Sequence, residues 1–138
     1  MSGTFVHGED IEREQFDWGG LGWISRPSST GAGRLTVIDV TLEPGRGHDF
    51  HKHPEQEEVI VVQAGEIEQW LEDERTTLAP GEAVFIGAGT VHASFNTGGE
   101  TAHLTVALGP CVGDGGYALV DVSSEEPWSS LRRENEEG

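Results

Sequence analysis

Short runs of β-branched and aliphatic residues, each ended by glycine or proline, dominate the middle of this 138-residue chain. The run RLTVIDVTLE, at residues 34–43, stops at Pro44-Gly45, and another run follows Glu58 and ends before Gly65. Further runs begin near residues 66, 82, 91 and 101, with a shorter one at residues 117–122. Short strands separated by turn residues at this spacing are typical of antiparallel sandwiches and barrels. The sequence therefore predicts an all-β fold built from antiparallel strands.

The two ends of the chain differ from this middle part. Residues 1–30 hold two tryptophans among glycines, and we expect them to form an arm with one or two irregular strands. Residues 31–125 form the predicted barrel. Residues 126–138 form a short acidic tail, with one short helix expected from Ser129. No internal repeat is visible, so the chain is expected to hold one barrel and not two.

The net charge of the chain limits the kinds of partner that it can bind. The formal net charge is −17 at pH 7, whereas nucleic-acid binding depends on neutralising phosphates with Lys and Arg. The same negative field would repel an anionic membrane surface, and no apolar run approaches the ~20 residues that span a bilayer. We therefore expect a small-molecule ligand, with no nucleic-acid partner and no membrane partner.

The N-terminus and the cysteine content predict a compartment. The first residues, MSGTFVHGEDIERE, lack the basic head and apolar stretch of a secretory signal peptide. The single cysteine, Cys111, cannot form an intrachain disulfide, which agrees with a reducing environment. Cys111 is expected to be a small packed residue, because no base lies at a recognisable spacing from it. These features predict a cytoplasmic protein.

The segment HKHPEQEEVIVVQAG, which begins at His51, places ionisable groups directly before an aliphatic run. His51 and His53 lie two apart, so on an extended strand both imidazoles point to the same face. Glu58 begins the next strand with the parity of Ile60 and Val62, which are expected to point into the core. Two neutral imidazoles and a carboxylate form a ligand set that suits Fe, Mn, Ni, Zn or Cu. The alternative is that this His-x-His pair is an accident of a surface strand.

Two longer spacings resemble the motifs of the cupin superfamily. The first motif is Gly, five residues, His-x-His, three or four residues, Glu, six residues and Gly, and it is filled by Gly45, His51, His53, Glu58 and Gly65. The second motif is Gly, five residues, Pro-x-Gly, two residues, His, three residues and Asn, and it is filled by Gly81, Gly89, His92 and Asn96. Gly87 stands where the family usually has proline, which removes no ligand.

The resemblance to a small single-domain cupin covers about residues 34–122 and implies both a fold and a site. The implied fold is a jelly-roll barrel of roughly six to eight strands. The implied site is one divalent transition metal bound by His51, His53, Glu58 and His92. Asn96, which ends the second motif, is expected to be structural.

Four other polar residues are weaker candidates for a catalytic role. His48 lies in a glycine-rich segment before the first ligand, where a solvated loop histidine is the first interpretation and an acid, base or gate the second. His103 is interpreted as a buried structural histidine ahead of a catalytic one. Gln69 is a candidate substrate contact if its side of the strand faces the barrel, and otherwise an edge residue. Tyr117 is the fourth weak candidate for a catalytic role.

Both faces of the strand after Glu58 are apolar, since Val59 and Val61 point away from Ile60 and Val62. An exposed apolar patch usually marks an interface. We therefore predict a homodimer that covers this outer face, as the resemblance to small single-barrel cupins also implies. The alternative cover is the N-terminal segment of the same chain.

The resemblance leaves the reaction open. The favoured interpretation is a metal-dependent enzyme that binds a small oxygenated substrate through adjacent oxygens, with dioxygenase-like chemistry at Fe, Ni or Cu. The alternatives are isomerase, lyase or decarboxylase chemistry at the same metal, or a non-catalytic module that binds a small ligand or stores metal. A well-placed acid or base beside the metal would favour catalysis.

Overall fold

The computed structural model describes the backbone of residues 3–137 and the side chains of residues 3–132. Its eleven strands are β1 (Glu12–Phe16), β2 (Gly19–Ser25), β3 (Thr36–Leu42), β4 (Gly47–Lys52), β5 (Glu57–Ala64), β6 (Ile67–Leu71), β7 (Glu74–Leu78), β8 (Ala83–Ile86), β9 (His92–Asn96), β10 (Ala102–Gly109) and β11 (Val120–Asp121). Its helices are a 3-10 turn (Gly8–Asp10), α1 (Pro27–Thr30) and α2 (Trp128–Glu137). Across these described residues, none of the helices has the length and apolar content of a membrane-spanning segment.

The strands form two antiparallel sheets. The six-stranded sheet has the order β1-β2-β3-β10-β5-β8, and the five-stranded sheet has the order β11-β4-β9-β6-β7. Each strand pairing in both sheets is antiparallel. The predicted all-β antiparallel barrel of jelly-roll type is therefore confirmed.

Alternation along the strands sets the inside of the barrel. In β3 every second residue, from Thr36 to Leu42, is buried, and β10 alternates in the same way from Ala102 to Leu108. Because successive side chains of a strand point to opposite faces, these residues share the face that packs inward. They join residues of β2, β5, β6 and β8 in one aliphatic cluster. That cluster fills the body of the barrel, and the polar side chains of the barrel interior lie together at one end of it.

A second apolar cluster lies on the opposite face of the five-stranded sheet. Phe50 and Trp70 are buried there, and Trp128 of α2 packs against them. The Phe50 and Trp128 ring centroids are 5.6 Å apart. Since Phe50 precedes His51 on β4, this packing directs the His51 side chain to the barrel interior. Helix α2, which begins one residue before the predicted Ser129, thus helps to position the site.

The structure also departs from the strands that the sequence predicts. β7 was not predicted, because its polar sequence ERTTL lacks the alternation that marks a half-buried strand, and β4 starts earlier than the extended segment expected at His51 and His53. The strand predicted at residues 117–122 is reduced to the two residues of β11. The N-terminal arm holds two regular strands, of which β2 pairs with β3 inside the main sheet. The division into arm, barrel and tail stays a prediction, and Met1, Ser2 and Gly138 lie outside the described residues.

Candidate metal centre

Three histidines and one glutamate meet at one end of the barrel interior. His51 lies on β4, His92 begins β9, and the two residues are paired across these neighbouring strands. His53 follows directly after β4, and Glu58 reaches the same point from β5 of the other sheet. All four side chains are buried, with exposed fractions of 1–6%. Both sheets therefore contribute side chains to this buried cluster.

The backbone fixes the tautomer of each of these histidines. Their Nδ1 atoms lie 2.7–3.0 Å from backbone carbonyl oxygens, which belong to Asp49, Ala118 and Thr90. Because a carbonyl oxygen can only accept, each neutral imidazole carries its proton on Nδ1 and keeps a lone pair on Nε2. Each of the three rings offers a ligand atom, and these atoms lie within 4.8 Å of one another. This arrangement, with Nδ1 donating outward, is the one found in histidines that bind metals.

Glu58 and His92 form a contact that is unfavourable without a cation. Glu58 Oε1 lies 2.9 Å from His92 Nε2 and 3.5 Å from His53 Nε2. Within the described part of the chain, neither Glu58 Oε1 nor His92 Nε2 makes a hydrogen bond of acceptable angle. Two buried acceptor atoms that face each other cost free energy unless a proton or cation lies between them. Three histidines and one carboxylate could therefore hold a divalent transition metal here.

The protonation states of these groups suit metal binding. Burial lowers the pKa of His51 and of His53 below the ordinary value, so both are neutral near pH 7. Burial alone would raise the pKa of Glu58, whereas a proton held between its Oε1 and His92 Nε2 lowers that pKa below its usual value, and a metal would take the place of this proton. Metal ligation needs neutral imidazoles and an ionised carboxylate. His51 and His53 therefore already hold the protonation state that a metal requires.

The four side chains open into a cavity of about 50 Å³ inside the barrel. Aliphatic side chains form most of its wall, among them Ile38, Val40, Ile60 and Val106. The other polar side chains at the cavity are His48, Ser94 and Tyr117. The cavity thus has a polar end, formed by the candidate ligands and these three side chains, and a largely apolar wall.

Two of the weaker candidates lie at this cavity. His48 is on β4, not in the loop that the glycine-rich sequence suggests, and its ring stacks on His51 with a centroid distance of 3.8 Å. Burial lowers the pKa of His48 from 6.5 to about 4, so it is neutral at pH 7. Tyr117 lines the cavity with its ring centroid 5.7 Å from that of His53. Burial, and next the carboxylate of Glu14, raise the pKa of the Tyr117 hydroxyl.

The other two candidates lie elsewhere. Gln69 is buried, but it lines a separate cavity, and its amide bonds Ser94 Oγ at 2.6 Å and the Trp70 carbonyl oxygen at 3.2 Å. His103 is exposed on β10, so its interpretation as a buried histidine is wrong. Its neighbours Ala102 and Leu104 point inward, and the alternation of the strand places His103 outside.

Asn96 has the structural role that the sequence suggests. Its Nδ2 donates to the carbonyl oxygens of Leu42 at 2.8 Å and Glu100 at 2.7 Å, and its Oδ1 accepts from the Gly98 amide at 2.9 Å. These bonds tie the end of β9 to β3 and to the following turn. Asn96 therefore holds the strand that begins with His92, without facing the cavity.

Gln56 is a supporting residue that sequence reasoning missed. It is buried, and its Nε2 donates to the carbonyl oxygens of Pro110 at 2.8 Å and Gly116 at 3.0 Å. Its Oε1 accepts from the Ala118 amide at 3.0 Å. Gln56 therefore fixes the segment whose Ala118 carbonyl orients His53. No local pattern marks it, because all its partners are more than fifty residues away.

Comparisons with known proteins agree with this fold. Protein SchB of Streptomyces halstedii is 29% identical over 102 residues, which are 74% of either chain. The polyketide cyclase RemF of Streptomyces resistomycificus has a TM-score of 0.69 at 21% identity, covering 93% of this chain and 97% of RemF. The oxalate decarboxylase of Lactobacillus farciminis has a TM-score of 0.73 at 18% identity, covering 86% of this chain but 35% of its own. The sequence profile of the cupin domain matches residues 38–108, which include all four side chains of the centre. The chain therefore belongs to the cupin family.

Proposed function

We propose that this chain is a metal-dependent enzyme that acts on a small, largely apolar substrate carrying adjacent oxygens. The observation that carries the proposal is the convergence of three Nε2 lone pairs and the Glu58 carboxylate on one end of an apolar cavity. Perturbed ionisable groups beside a cavity are a common signature of an active site. The family, with the fold it shares with two enzymes, agrees with this proposal.

His51, His53, His92 and Glu58 would hold one divalent transition metal. The fixed tautomers and the uncompensated contact between Glu58 and His92 support this assignment. Imidazole and carboxylate ligands suit Fe, Mn, Ni, Zn and Cu. When bound, the ion would polarise a substrate oxygen as a Lewis acid and, if it is Fe, Ni or Cu, supply electrons to O₂.

The remaining side chains at the cavity would bind and orient the substrate. The aliphatic wall would hold its hydrocarbon part and exclude water, which strengthens polar interactions at the other end. Tyr117 keeps its proton at neutral pH, so its hydroxyl can donate to a substrate oxygen. His48 is neutral at pH 7, so one ring nitrogen can accept a hydrogen bond from a substrate hydroxyl. A hydrogen-bond donor and an acceptor beside the centre would orient a substrate there.

Two reactions fit this site. Dioxygenase-like cleavage is the first candidate, because Fe, Ni or Cu, if held by these four side chains, would supply electrons to O₂. A redox-neutral reaction, such as ring closure or decarboxylation, is the second. It is favoured by the likeness in fold to the polyketide cyclase RemF and to an oxalate decarboxylase.

Measurement of O₂ uptake separates these reactions. The protein is purified without chelating resin, its metal is identified, and catechols, flavonols, diketones and thiols are supplied with and without O₂. Dioxygenase-like chemistry predicts one O₂ consumed per substrate, with no turnover in the absence of O₂ and none in His92→Ala. Turnover that is equally fast without O₂ would favour the redox-neutral reaction. Stoichiometric metal with no change in any substrate would favour the non-catalytic module.

We also propose a second copy of the chain as the partner. Val59 is 37% exposed, Phe85 beside it on β8 is 58% exposed, and Leu35 is 52% exposed. These residues line one open groove on the outside of the six-stranded sheet. An apolar groove on a chain of charge −17 is the kind of surface that a homodimer covers. A cytoplasmic location, like the dimer, stays a prediction.

A further inference from the structure

Four aromatic rings stack in a row that ends at the candidate metal centre. Phe16 stacks on Trp18 with centroids 5.1 Å apart and planes 5° apart. Trp18 stacks on His48 at 5.0 Å and 8°, and His48 stacks on His51 at 3.8 Å and 17°. We call these four residues the aromatic stack. It begins with a side chain that is partly exposed and ends with one that is buried.

The hairpin formed by β1 and β2 holds the outer half of the stack. Trp18 lies in its turn, and the Trp18 carbonyl oxygen accepts the Glu43 amide at 3.0 Å. The next residue, Gly19, has a φ of 153°, and a Cβ there would overlap the Thr41 carbonyl oxygen. Only glycine permits this close approach of the hairpin to β3. The backbone thus fixes where the Trp18 ring lies, and with it the outer face of His48.

Hydrogen bonding does not explain the place of His48. Neither of its ring nitrogens bonds to any residue whose side chain or backbone is described, from residue 3 to residue 132. It also lies outside the group of three histidines whose ligand atoms converge. What His48 does contact is the flat face of His51, and Trp18 covers its own other face.

His51 needs such a contact. Its Nδ1 bond to the Asp49 carbonyl oxygen, at 2.7 Å, holds one point of the ring but not the tilt of its plane. His48 lies flat against one face of the ring, and His92 approaches at 4.2 Å and 60°. The ring is therefore held between two neighbours, and His48 supplies the parallel one.

We propose that His48 and Trp18 are positioning residues that fix the plane of the His51 imidazole, so that its Nε2 points into the metal centre. The proposal rests on the metal site of the proposed function. His53 provides an internal contrast, because its aromatic neighbour Tyr117 is tilted by 43° at 5.7 Å. Its orientation instead depends on the Ala118 carbonyl oxygen and on Gln56.

The test compares variants that keep or remove a ring at position 48. Co²⁺ is titrated into chelator-stripped wild type, His48→Phe, His48→Ala and Trp18→Leu, and affinity and the visible absorption spectrum are recorded. Removing a supporting partner of a metal ligand typically weakens binding by about 10–100-fold. We expect His48→Ala to weaken binding by about 10-fold or more and to shift the spectrum. His48→Phe should stay within about 3-fold of wild type, and Trp18→Leu should fall between them.

His103→Ala is the matched control, because it removes an exposed histidine that belongs neither to the stack nor to the candidate metal centre and should change neither readout. The proposal is overturned if His48→Ala binds Co²⁺ with wild-type affinity and spectrum. It is equally overturned if His48→Phe is as defective as His48→Ala, since the nitrogens and not the ring would then matter. If His48→Ala does not fold, Trp18→Leu tests the same stack from one ring further out. Failure of the metal site itself would be visible separately, as wild type that binds no Co²⁺ or His51→Ala that binds it normally.

Discussion

Two regions of this barrel are held together by different forces. The body is the aliphatic cluster inside the barrel, and the mouth is the end of the barrel that holds His51, His53, Glu58 and His92. In the body, Leu42, Val62 and Ile67 are completely buried and are held by packing against other aliphatic side chains. At the mouth, each of the three histidines is held by a hydrogen bond from Nδ1 to a backbone carbonyl oxygen. The body therefore carries the folding free energy, whereas the mouth uses backbone segments that the body has already placed.

This difference explains how ionisable groups can lie directly beside the core. Burial lowers the pKa of His51 and of His53, because a buried charge without a partner would be costly. The neutral imidazoles avoid that cost, because their outer nitrogens are satisfied by carbonyl oxygens. Among the described side chains, Glu58 Oε1 and His92 Nε2 are buried without a hydrogen bond, and a metal would bind these atoms. Changes to the mouth should therefore alter binding and pH response, and changes to the body should alter stability.

The largest effect is expected from a cavity in the body. Ile67 is completely buried in the aliphatic cluster and does not line the metal-site cavity. Ile67→Ala should lower the free energy of unfolding by about 2–5 kcal/mol, through lost burial and the cavity left behind. Urea denaturation of metal-free protein measures it, and metal bound per folded chain should stay unchanged. A loss below about 1 kcal/mol would show that the body does not carry the stability.

A smaller effect is expected when the mouth is acidified in metal-free protein. The pKa of His48 is about 4 in the folded chain and 6.5 ordinarily, so between these values the unfolded chain binds more protons. The His48 contribution to the free energy of unfolding should therefore fall as pH drops from 6.5 towards 4, and level off below. It amounts to about 3–3.5 kcal/mol, because each tenfold difference in proton affinity between the folded and unfolded chain corresponds to about 1.4 kcal/mol.

The comparison that isolates His48 uses His48→Gln, which cannot titrate. Urea unfolding of both proteins between about pH 8 and pH 4, at fixed salt, should give a smaller acid loss for the variant. His103→Gln, at an exposed position, should follow wild type. Parallel curves for wild type and His48→Gln would contradict the lowered pKa.

The smallest effect on the stability of the single chain is expected outside the barrel. Val61→Lys changes a residue of the outer face of β5, where surface substitutions usually alter stability by about 0.5 kcal/mol or less. In the proposed dimer the same change buries an unpaired charge, so it should shift the protein towards monomer. Sedimentation measures this, with Thr77→Lys at an exposed position on β7 of the other sheet as the control. Wild type that sediments as a monomer at micromolar concentration would contradict the dimer.

Much of the mouth was predictable from sequence, because strand geometry fixes the directions of its side chains. His51 and His53 share parity, and Glu58 shares parity with the buried Ile60 and Val62. Resemblance to the cupin motifs added His92, which the fold pairs with His51. The buried face of β10 was also available, since Ala102, Leu104 and Val106 alternate with His103. The buried interpretation of His103 ignored that alternation.

The supports of the mouth were not predictable in this way. The Trp18–His48 and Gln56–Ala118 contacts join residues 30 and 62 positions apart and depend on how the hairpin and the loop after β10 fold back. Neither contact has a period or a spacing in the sequence. β7 was missed for a related reason, since its polar side chains give no alternation although its backbone pairs regularly with β6. The sequence pattern thus identifies the candidate metal ligands better than it identifies the residues that orient them.

The most direct test of the central claim is calorimetric titration of Zn²⁺ into chelator-stripped wild type and His92→Ala. His92 is almost completely buried, and its Nε2 faces Glu58 Oε1 at 2.9 Å. We predict one ion per wild-type chain and at least about a 100-fold loss of affinity in His92→Ala, since losing a ligand costs more than losing a supporting partner. The thermal unfolding temperature of the metal-free variant should remain close to that of the metal-free wild type. Unchanged affinity and stoichiometry in His92→Ala would contradict the account.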